Sequence, residues 1–290
     1  MRQFNPIRTL VCWLALSIGL QAQQYVFHVY GQAEGLKNLA VNGLTTDRNG
    51  TLWAATENGV YRFLGSGFER FGADQGIAEL DALDVVSDAN GTVWVGTEGN
   101  LYYGRGQKFF PAGRQAIKVG RQGRLVIEDA HHLLVVDQGK LYRLEHDTEG
   151  RMISYLPVIP DSVVASIPEL GNVRSVSVLR EPLNGRRIWI GCGKRLFSLP
   201  SGQIETSLQA GERSVTAWGS DKGLPEDSWG TVLRDHEGTL WVAAVSYTHL
   251  DVYKRQTLSF AEFAPGKVDS EAPIARSNSA TPVSVAADAL

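Results

Sequence analysis

Three recurring features of the sequence predict an all-β fold: a tryptophan that returns at near-regular intervals, a polar glycine turn ahead of it, and short apolar runs flanking that turn. Residues 47–63 read D-R-N-G-T-L-W-A-A-T-E-N-G-V-Y-R-F. They return as D-A-N-G-T-V-W-V-G-T-E-G-N-L-Y-Y at 88–103 and as D-H-E-G-T-L-W-V-A-A at 235–244. A weaker copy at 185–199 reads G-R-R-I-W-I-G-C-G-K-R-L-F-S-L. Trp53, Trp94, Trp189 and Trp241 mark these copies, and a fifth copy carries Leu134 in place of the tryptophan. The anchors step by 41, 40, 55 and 52 residues, the length of one small sheet per repeat. An aromatic follows eight residues after each of the first three tryptophans, at Tyr61, Tyr102 and Phe197, and Tyr142 keeps that interval from Leu134. The predicted architecture is an incomplete β-propeller of about five four-stranded blades.

Each repeat is expected to make one blade for local reasons. In Asp-x-Asn-Gly the aspartate side chain bonds backbone amides ahead of it, and glycine takes positive φ without a Cβ clash. Apolar runs at 41–46 and 51–56 flank the first turn. Glu57-Asn58-Gly59 makes a second turn, and strands at 60–63 and 68–71 complete four in about 40 residues, which is hairpin spacing. A lone sheet of this size cannot bury both faces, whereas sheets stacked around an axis can, with aromatic side chains wedged between them. A buried tryptophan removes roughly 150–250 Å² from water, an upper bound of about 4–6 kcal/mol at ~25 cal/mol per Å². Trp53, Trp94, Trp189, Trp241, Tyr61, Tyr102, Tyr142 and Phe197 are therefore expected to be structural anchors.

The remaining segments follow in chain order. Residues 1–22 read as a secretory signal: Arg2 and Arg8, an apolar run at 9–20, and a cleavage end at Leu20-Gln21-Ala22. That run is shorter than the ~20 residues a spanning helix needs. Its removal takes the formal charge from −3 to −5, which gives no electrostatic case for nucleic acid. Cys12 lies in the signal, so Cys192 is left as a single thiol and is expected to be a small buried hydrophobe. Residues 25–30 (Y-V-F-H-V-Y) alternate like a strand. Residues 144–173, with three prolines, are expected to hold the outer strand of the third blade and a long loop. The propeller is expected to occupy 23–244. Residues 245–256 (V-S-Y-T-H-L-D-V-Y-K-R-Q) break the fifth copy, and their back-translation gives two transposon mosaic-end adapters head to head, so the segment is expected to be adapter-derived. Residues 257–290, rich in Ala, Ser and Pro, are expected to be disordered.

No cofactor, metal or catalytic residue is expected. The Asp-x-Asn-Gly turns lack the further oxygen ligands and the distal glutamate of a calcium loop. His131 and His132 are adjacent on an expected strand, so they point to opposite faces and cannot easily share a metal. Glycoside hydrolysis needs two converging carboxylates, and the sequence singles out no pair. Ligand-binding candidates are the loops leading into the inner strands, which line one mouth of a propeller: Lys37 and Asn38, Glu79 and Asp81, and Glu226, Asp227 and Trp229. Trp229 could stack on a sugar ring or pack between blades.

The repeat resembles the two-component-regulator propeller family: G-L-x-x-x-x-V leading an inner strand, D-x-x-G as the turn, then L-W-x-G-T and G-L-Y-R. Gly35-Leu36 to Val41, Gly76-Ile77 and Gly223-Leu224-Pro225 match the leading element. The resemblance spans about residues 25–244. It implies a ring of seven or more blades and a periplasmic or otherwise extracytoplasmic sensor region, not itself an enzyme. It also implies a small ligand such as an oligosaccharide, and a membrane-anchored, homodimeric full-length receptor with a histidine kinase or diguanylate cyclase output. A secreted propeller lyase or glycosidase and a protein-interaction scaffold are the alternatives.

Overall fold

The computed structural model describes residues 27–38, 40–79, 81–120, 125–181, 185–201, 215–222, 224, 229–234, 240–246 and 257–263. These residues form five antiparallel sheets, each built from consecutive strands. Blade 1 comprises β1 (Val41–Thr46), β2 (Leu52–Thr56), β3 (Gly59–Phe63) and β4 (Phe68–Phe71). Blade 2 comprises β5 (Ala82–Ser87), β6 (Val93–Thr97), β7 (Leu101–Arg105) and β8 (Lys108–Pro111). Blade 3 holds β9 (Leu125–Ile127), β10 (His132–Asp137), β11 (Lys140–His146) and β12 (Met152–Pro157). Blade 4 holds β13 (Ser175–Glu181), β14 (Gly185–Cys192), β15 (Arg195–Pro200) and β16 (Thr216–Trp218). Blade 5 has three strands, β17 (Trp229–Arg234), β18 (Leu240–Ser246) and β19 (Thr257–Phe263). The inner strands pack in chain order, β1 on β5, β5 on β9, β9 on β13 and β13 on β17. The architecture is an incomplete β-propeller.

The turn aspartate does more than close its hairpin. Asp47 Oδ1 accepts the amides of Asn49 and Thr51 at 2.9 and 3.0 Å, while its Oδ2 accepts the Trp53 indole N–H at 3.0 Å. Asp88 repeats this with the Thr92 amide at 2.9 Å and the Trp94 indole at 3.2 Å. Gly50 and Gly91 hold φ of 77° and 83°, the left-handed region that the turn requires. The D-x-x-G-x-x-W spacing thus encodes a link between turn and wedge, in addition to the turn itself.

Strand alternation then decides which way each aromatic faces. Ala54 pairs with Tyr61, Val95 with Tyr102 and Ile190 with Phe197, so the later aromatic lies on the face opposite the tryptophan. Trp53 packs with Val85, Val93 and Val95 of blade 2, and Tyr102 of blade 2 packs back into the same seam. Trp94 packs on Leu125, Leu133 and Val135 of blade 3. Leu134 fills the wedge position between blades 3 and 4, among Val176, Ile190 and Phe197. Trp189 meets Trp229, Val232 and Val242 of blade 5. Tyr142 is half-buried, stacked on Tyr155 at 4.7 Å. Tyr61 is sealed on the other face of blade 1 by Leu36 and Phe68.

Four expectations change. Trp241 is not a buried anchor: it is 37% exposed, against 2% or less for Trp53, Trp94, Leu134 and Trp189. Its neighbours Leu240 and Val242 face blade 4, so alternation turns the indole to the far side of blade 5. Within 25–30, the described residues 27–30 form no strand; Tyr30 instead sets its ring edge-on to Phe63 and Phe68. The tail is ordered where Thr257–Phe263 pairs with β18, and β18 itself runs to Ser246. Among the described residues blade 5 shows three strands. The 144–173 stretch does contain an outer strand, β12, followed by a short helix α1 (Asp161–Ser166) and a 3-10 turn (Pro168–Gly171). The signal segment 1–22 and most of 245–256 lie outside the described residues.

Candidate functional site

In consecutive antiparallel strands, the loop entering the inner strand and the turn between the second and third strands share one end of each blade. The described loops at Lys37-Asn38 and at Glu79 and Asp81, and the turns at Glu57-Asn58, Glu98-Gly99, Gln138-Gly139 and Gly193-Lys194, therefore lie on one face of the propeller. Gly76 shows how the entering loop is fixed. Its φ is 98°, and a Cβ there would come within 2.2 Å of the Phe109 carbonyl oxygen. Only glycine lets the backbone pass so close, and it drops Ile77 into the blade 1–blade 2 core.

On this face the sequence candidates have mixed fates. Lys37 is exposed, and Asn38 uses its Oδ1 to accept the Ala40 amide at 2.7 Å, which is turn work. Glu79 accepts the Tyr102 hydroxyl at 2.5 Å and lies over Gly99, where a Cβ would meet its Oε1 at 2.5 Å. Burial, with the Glu79 hydrogen bond second, pushes the Tyr102 hydroxyl up to about 12. Asp81 is half-buried at the entry to β5. Glu226 and Asp227 lie outside the described residues. Trp229 is buried in one apolar cluster with Trp189 and Val232, as the packing alternative expects.

The structure instead opens a cavity of about 400 Å³ between the loops of blade 4 and the start of the connection to blade 5. Three loops build it: the 3-10 turn before β13 supplies Glu169 and Asn172, the β14–β15 turn supplies Gly193, Lys194 and Arg195, and a 3-10 turn (Ser220–Lys222) supplies Ser220 and Asp221. Helix α1 makes this possible. Val163, Val164, Ile167 and Leu170 pack on the seam between blades 3 and 4, while the Val173 and Arg174 amides donate to the Gly139 and Gly191 carbonyls at 2.7 and 2.9 Å. The longer entry loop is thereby held beside the β14–β15 turn. Its lining sets two carboxylates against two cations around neutral hydrogen-bonding groups. Cys192 also lines it, and burial, with Glu169 adding, pushes the thiol up to about 12, so it stays protonated and unreactive at neutral pH. Cys192 to Arg195 fall within the weaker repeat copy, but no shared motif links them to Glu169, Asn172, Ser220 and Asp221. They come together from three loops only through the fold.

Elsewhere, His132 Nδ1 lies 2.9 Å from Asp129 Oδ1, and His131 Nδ1 lies 3.3 Å from the His146 carbonyl. The two imidazoles go to separate partners. Burial works to raise the Asp129 pKa, but the His131 amide and His132 outweigh it and leave that carboxylate below its ordinary value. Among the described residues no group of three or more His, Cys, Asp or Glu could hold a metal ion. Among them, too, no helix is long and apolar enough to cross a membrane.

No family model matches the chain, and no curated protein matches it. Among solved structures, the chain is similar to the extracellular domain of BT3049 from B. thetaiotaomicron, assigned as a hybrid two component system, with a TM-score of 0.58 at 17% identity over 84% of this chain. It is similar to the extracellular domain of BT4673 from the same organism, also so assigned, with a TM-score of 0.57 at 14% identity over 86% of the chain. PorZ, a surface component of the type-IX secretion system of Porphyromonas gingivalis, gives 0.50 at 12% identity over 75%. The chain spans 31–32% of the length of these three proteins. At such identities the likeness is one of fold, and the fold is that of a β-propeller.

Proposed function

We propose that this chain is the extracytoplasmic ligand-sensing propeller of a two-component-type receptor, with its output domain beyond the present sequence. One observation carries this reading: the fold is shared, over more than four-fifths of the chain, with extracellular domains assigned to two-component systems. The cavity beside blade 4 is where the ligand binds. Paired carboxylates and cations suit a polyhydroxylated ligand such as an oligosaccharide, whose hydroxyls both donate and accept. Because the lining includes the connection from blade 4 to blade 5, a ligand that prefers one arrangement of that connection shifts the population toward it; equal affinity for both arrangements would transmit nothing. The chain is a binder, not an enzyme, and it acts in a membrane-anchored, homodimeric whole. Nucleic acid is not its ligand.

Thermal unfolding of the full chain against a panel of neutral and uronic-acid oligosaccharides tests this. A binding member should raise the melting temperature steadily with the logarithm of its concentration, by an amount equivalent to about 2.7 kcal/mol at a hundredfold excess over Kd. The shift should vanish in Asp221→Asn and Lys194→Ala, whose side chains are exposed and whose folding is expected to be intact. No shift across the panel, or equal shifts in both variants, would overturn the assignment of the cavity. Alkaline phosphatase fused after residue 30 should be active only on export, which tests location separately.

A further inference from the structure

The turn that walls one side of the cavity sends its two charged side chains to different places. Residues 215–222 read V-T-A-W-G-S-D-K: β16 ends on Trp218, Gly219 is buried, and Ser220–Lys222 make one 3-10 turn. Asp221 lines the cavity, whereas Lys222 folds back over the end of blade 4. Its Nζ sits 4.8 Å from the centre of the Trp218 ring and donates to the Ala217 carbonyl oxygen at 2.6 Å. Trp218 is itself fixed. Its ring stacks on Trp189 at 5.7 Å and 27°, and its indole N–H donates to Ser198 Oγ at 3.0 Å. Trp189 in turn shares an apolar cluster with Trp229, Val232 and Val242 of blade 5. Within the turn, the Lys222 and Leu224 amides both donate to the Gly219 carbonyl, at 2.9 and 3.0 Å.

We propose that Lys222 is a positioning residue for the cavity: its grip on Trp218 and the Ala217 carbonyl holds the Ser220–Asp221 wall closed beside Cys192, and loosening that grip opens the cavity. This rests on the reading that the cavity is the ligand site, and deepens it by naming what sets its opening. The Ala217 carbonyl fixes where the ammonium lies, and the indole face supplies the attraction for its charge. Lys222 is exposed, so the contact is of the modest, solvent-screened kind. Its loss should shift the ratio of open to closed wall about two- to fivefold. Arginine can make the same contact, while methionine keeps the length without the charge. Because Trp218 rests on the Trp189 wedge, the wall that a ligand touches is joined to the packing between blades 4 and 5. A ligand that binds the closed wall more tightly than the open one is thereby felt at that seam.

Cys192 supplies a readout that needs no ligand. It is 1% exposed and burial keeps its thiol protonated, so a disulfide reagent reaches it only through an opened cavity. Labelling of the full chain with dithiodipyridine, located at Cys192 by peptide mass, should run about two- to fivefold faster in Lys222→Met. In Lys222→Arg it should return to the wild-type rate. Hydrogen exchange of the Lys222 and Leu224 amides should quicken by a similar factor in Lys222→Met, while the amides of blade 1 keep their rates. A variant that merely destabilised the whole chain would quicken both. Lys222→Gln takes the place of the methionine variant should that one lose its β-sheet circular dichroism. Unchanged Cys192 labelling in the neutral variant, no rescue by arginine, or quickened exchange across all blades would each overturn the proposal. An oligosaccharide panel without a binder leaves these results untouched and counts against the ligand reading alone.

Discussion

Trp94 and Trp241 hold the same place in the same motif, yet one is sealed and the other is more than a third exposed. Both stand six residues after a turn aspartate and on the second strand of a blade. What differs is the neighbour. Trp94 lies against Leu125, Leu133 and Val135, whereas the indole of Trp241 looks away from blade 4. The motif therefore specifies a face, and the adjoining sheet supplies the burial. A repeat protein of this kind draws its stability from seams, not from blades taken singly.

Substitution at the two tryptophans tests that view most sharply. Trp94→Ala should cost about 3–5 kcal/mol in urea unfolding, the range for emptying a buried aromatic site. Trp241→Ala should cost clearly less than Trp94→Ala, since more than a third of the residue is already exposed. Equal losses would mean that the wedge acts within its own blade, and the comparison would fail. A smaller contrast separates the two indole bonds. Trp94→Phe keeps a ring but takes the donor from Asp88, which is buried beside His146 with its Oδ2 3.7 Å from His146 Nε2. Leaving that carboxylate oxygen unmatched should cost about 1–3 kcal/mol. Trp53→Phe should cost less, because Asp47 is only half-buried and water can replace the indole.

The sequence made the blades legible because their signals are local. The Asp-x-Asn-Gly turns, the tryptophan spacing and the later aromatics each depend on residues within one hairpin, and even the Leu134 copy keeps its interval. Exposure of Trp241 was not legible, since it depends on which sheet lies next to blade 5. Thr257–Phe263 was hidden by averaging: T-L-S-F-A-E-F alternates as a strand should, but the tail around it is Ala-, Ser- and Pro-rich. The candidate site was legible only as a face. A loop entering an inner strand lines part of the cavity, but Glu169, Lys194 and Asp221 belong to different loops with no shared pattern. Glu79 looked like a ligand residue because its loop was right, while its partner, Tyr102, was read only as an anchor.

That pair yields the mildest effect and a third comparison, between Tyr102 and Tyr61 at the same repeat position. Both rings are buried, but only Tyr102 finds an acceptor; the Tyr61 hydroxyl has no hydrogen-bond partner among the described residues. Burial first, then the Glu79 carboxylate, hold the Tyr102 proton on until about 12 rather than the usual 10.0. A folded-state pKa raised above the unfolded one adds stability that is fully present below about 10. That stability is lost as pH rises through the folded value. Stability should therefore fall between about pH 10 and 12 as the unfolded chain releases the proton first. Glu79→Gln keeps an acceptor but removes the charge, so the late tyrosinate absorbance at 295 nm should move toward, and not reach, the ordinary value. Urea midpoints on this alkaline limb should then decline less steeply than in the wild type. If the late titration stayed in place, burial alone would govern Tyr102, and Glu79 would be returned to the pool of side chains available for a ligand.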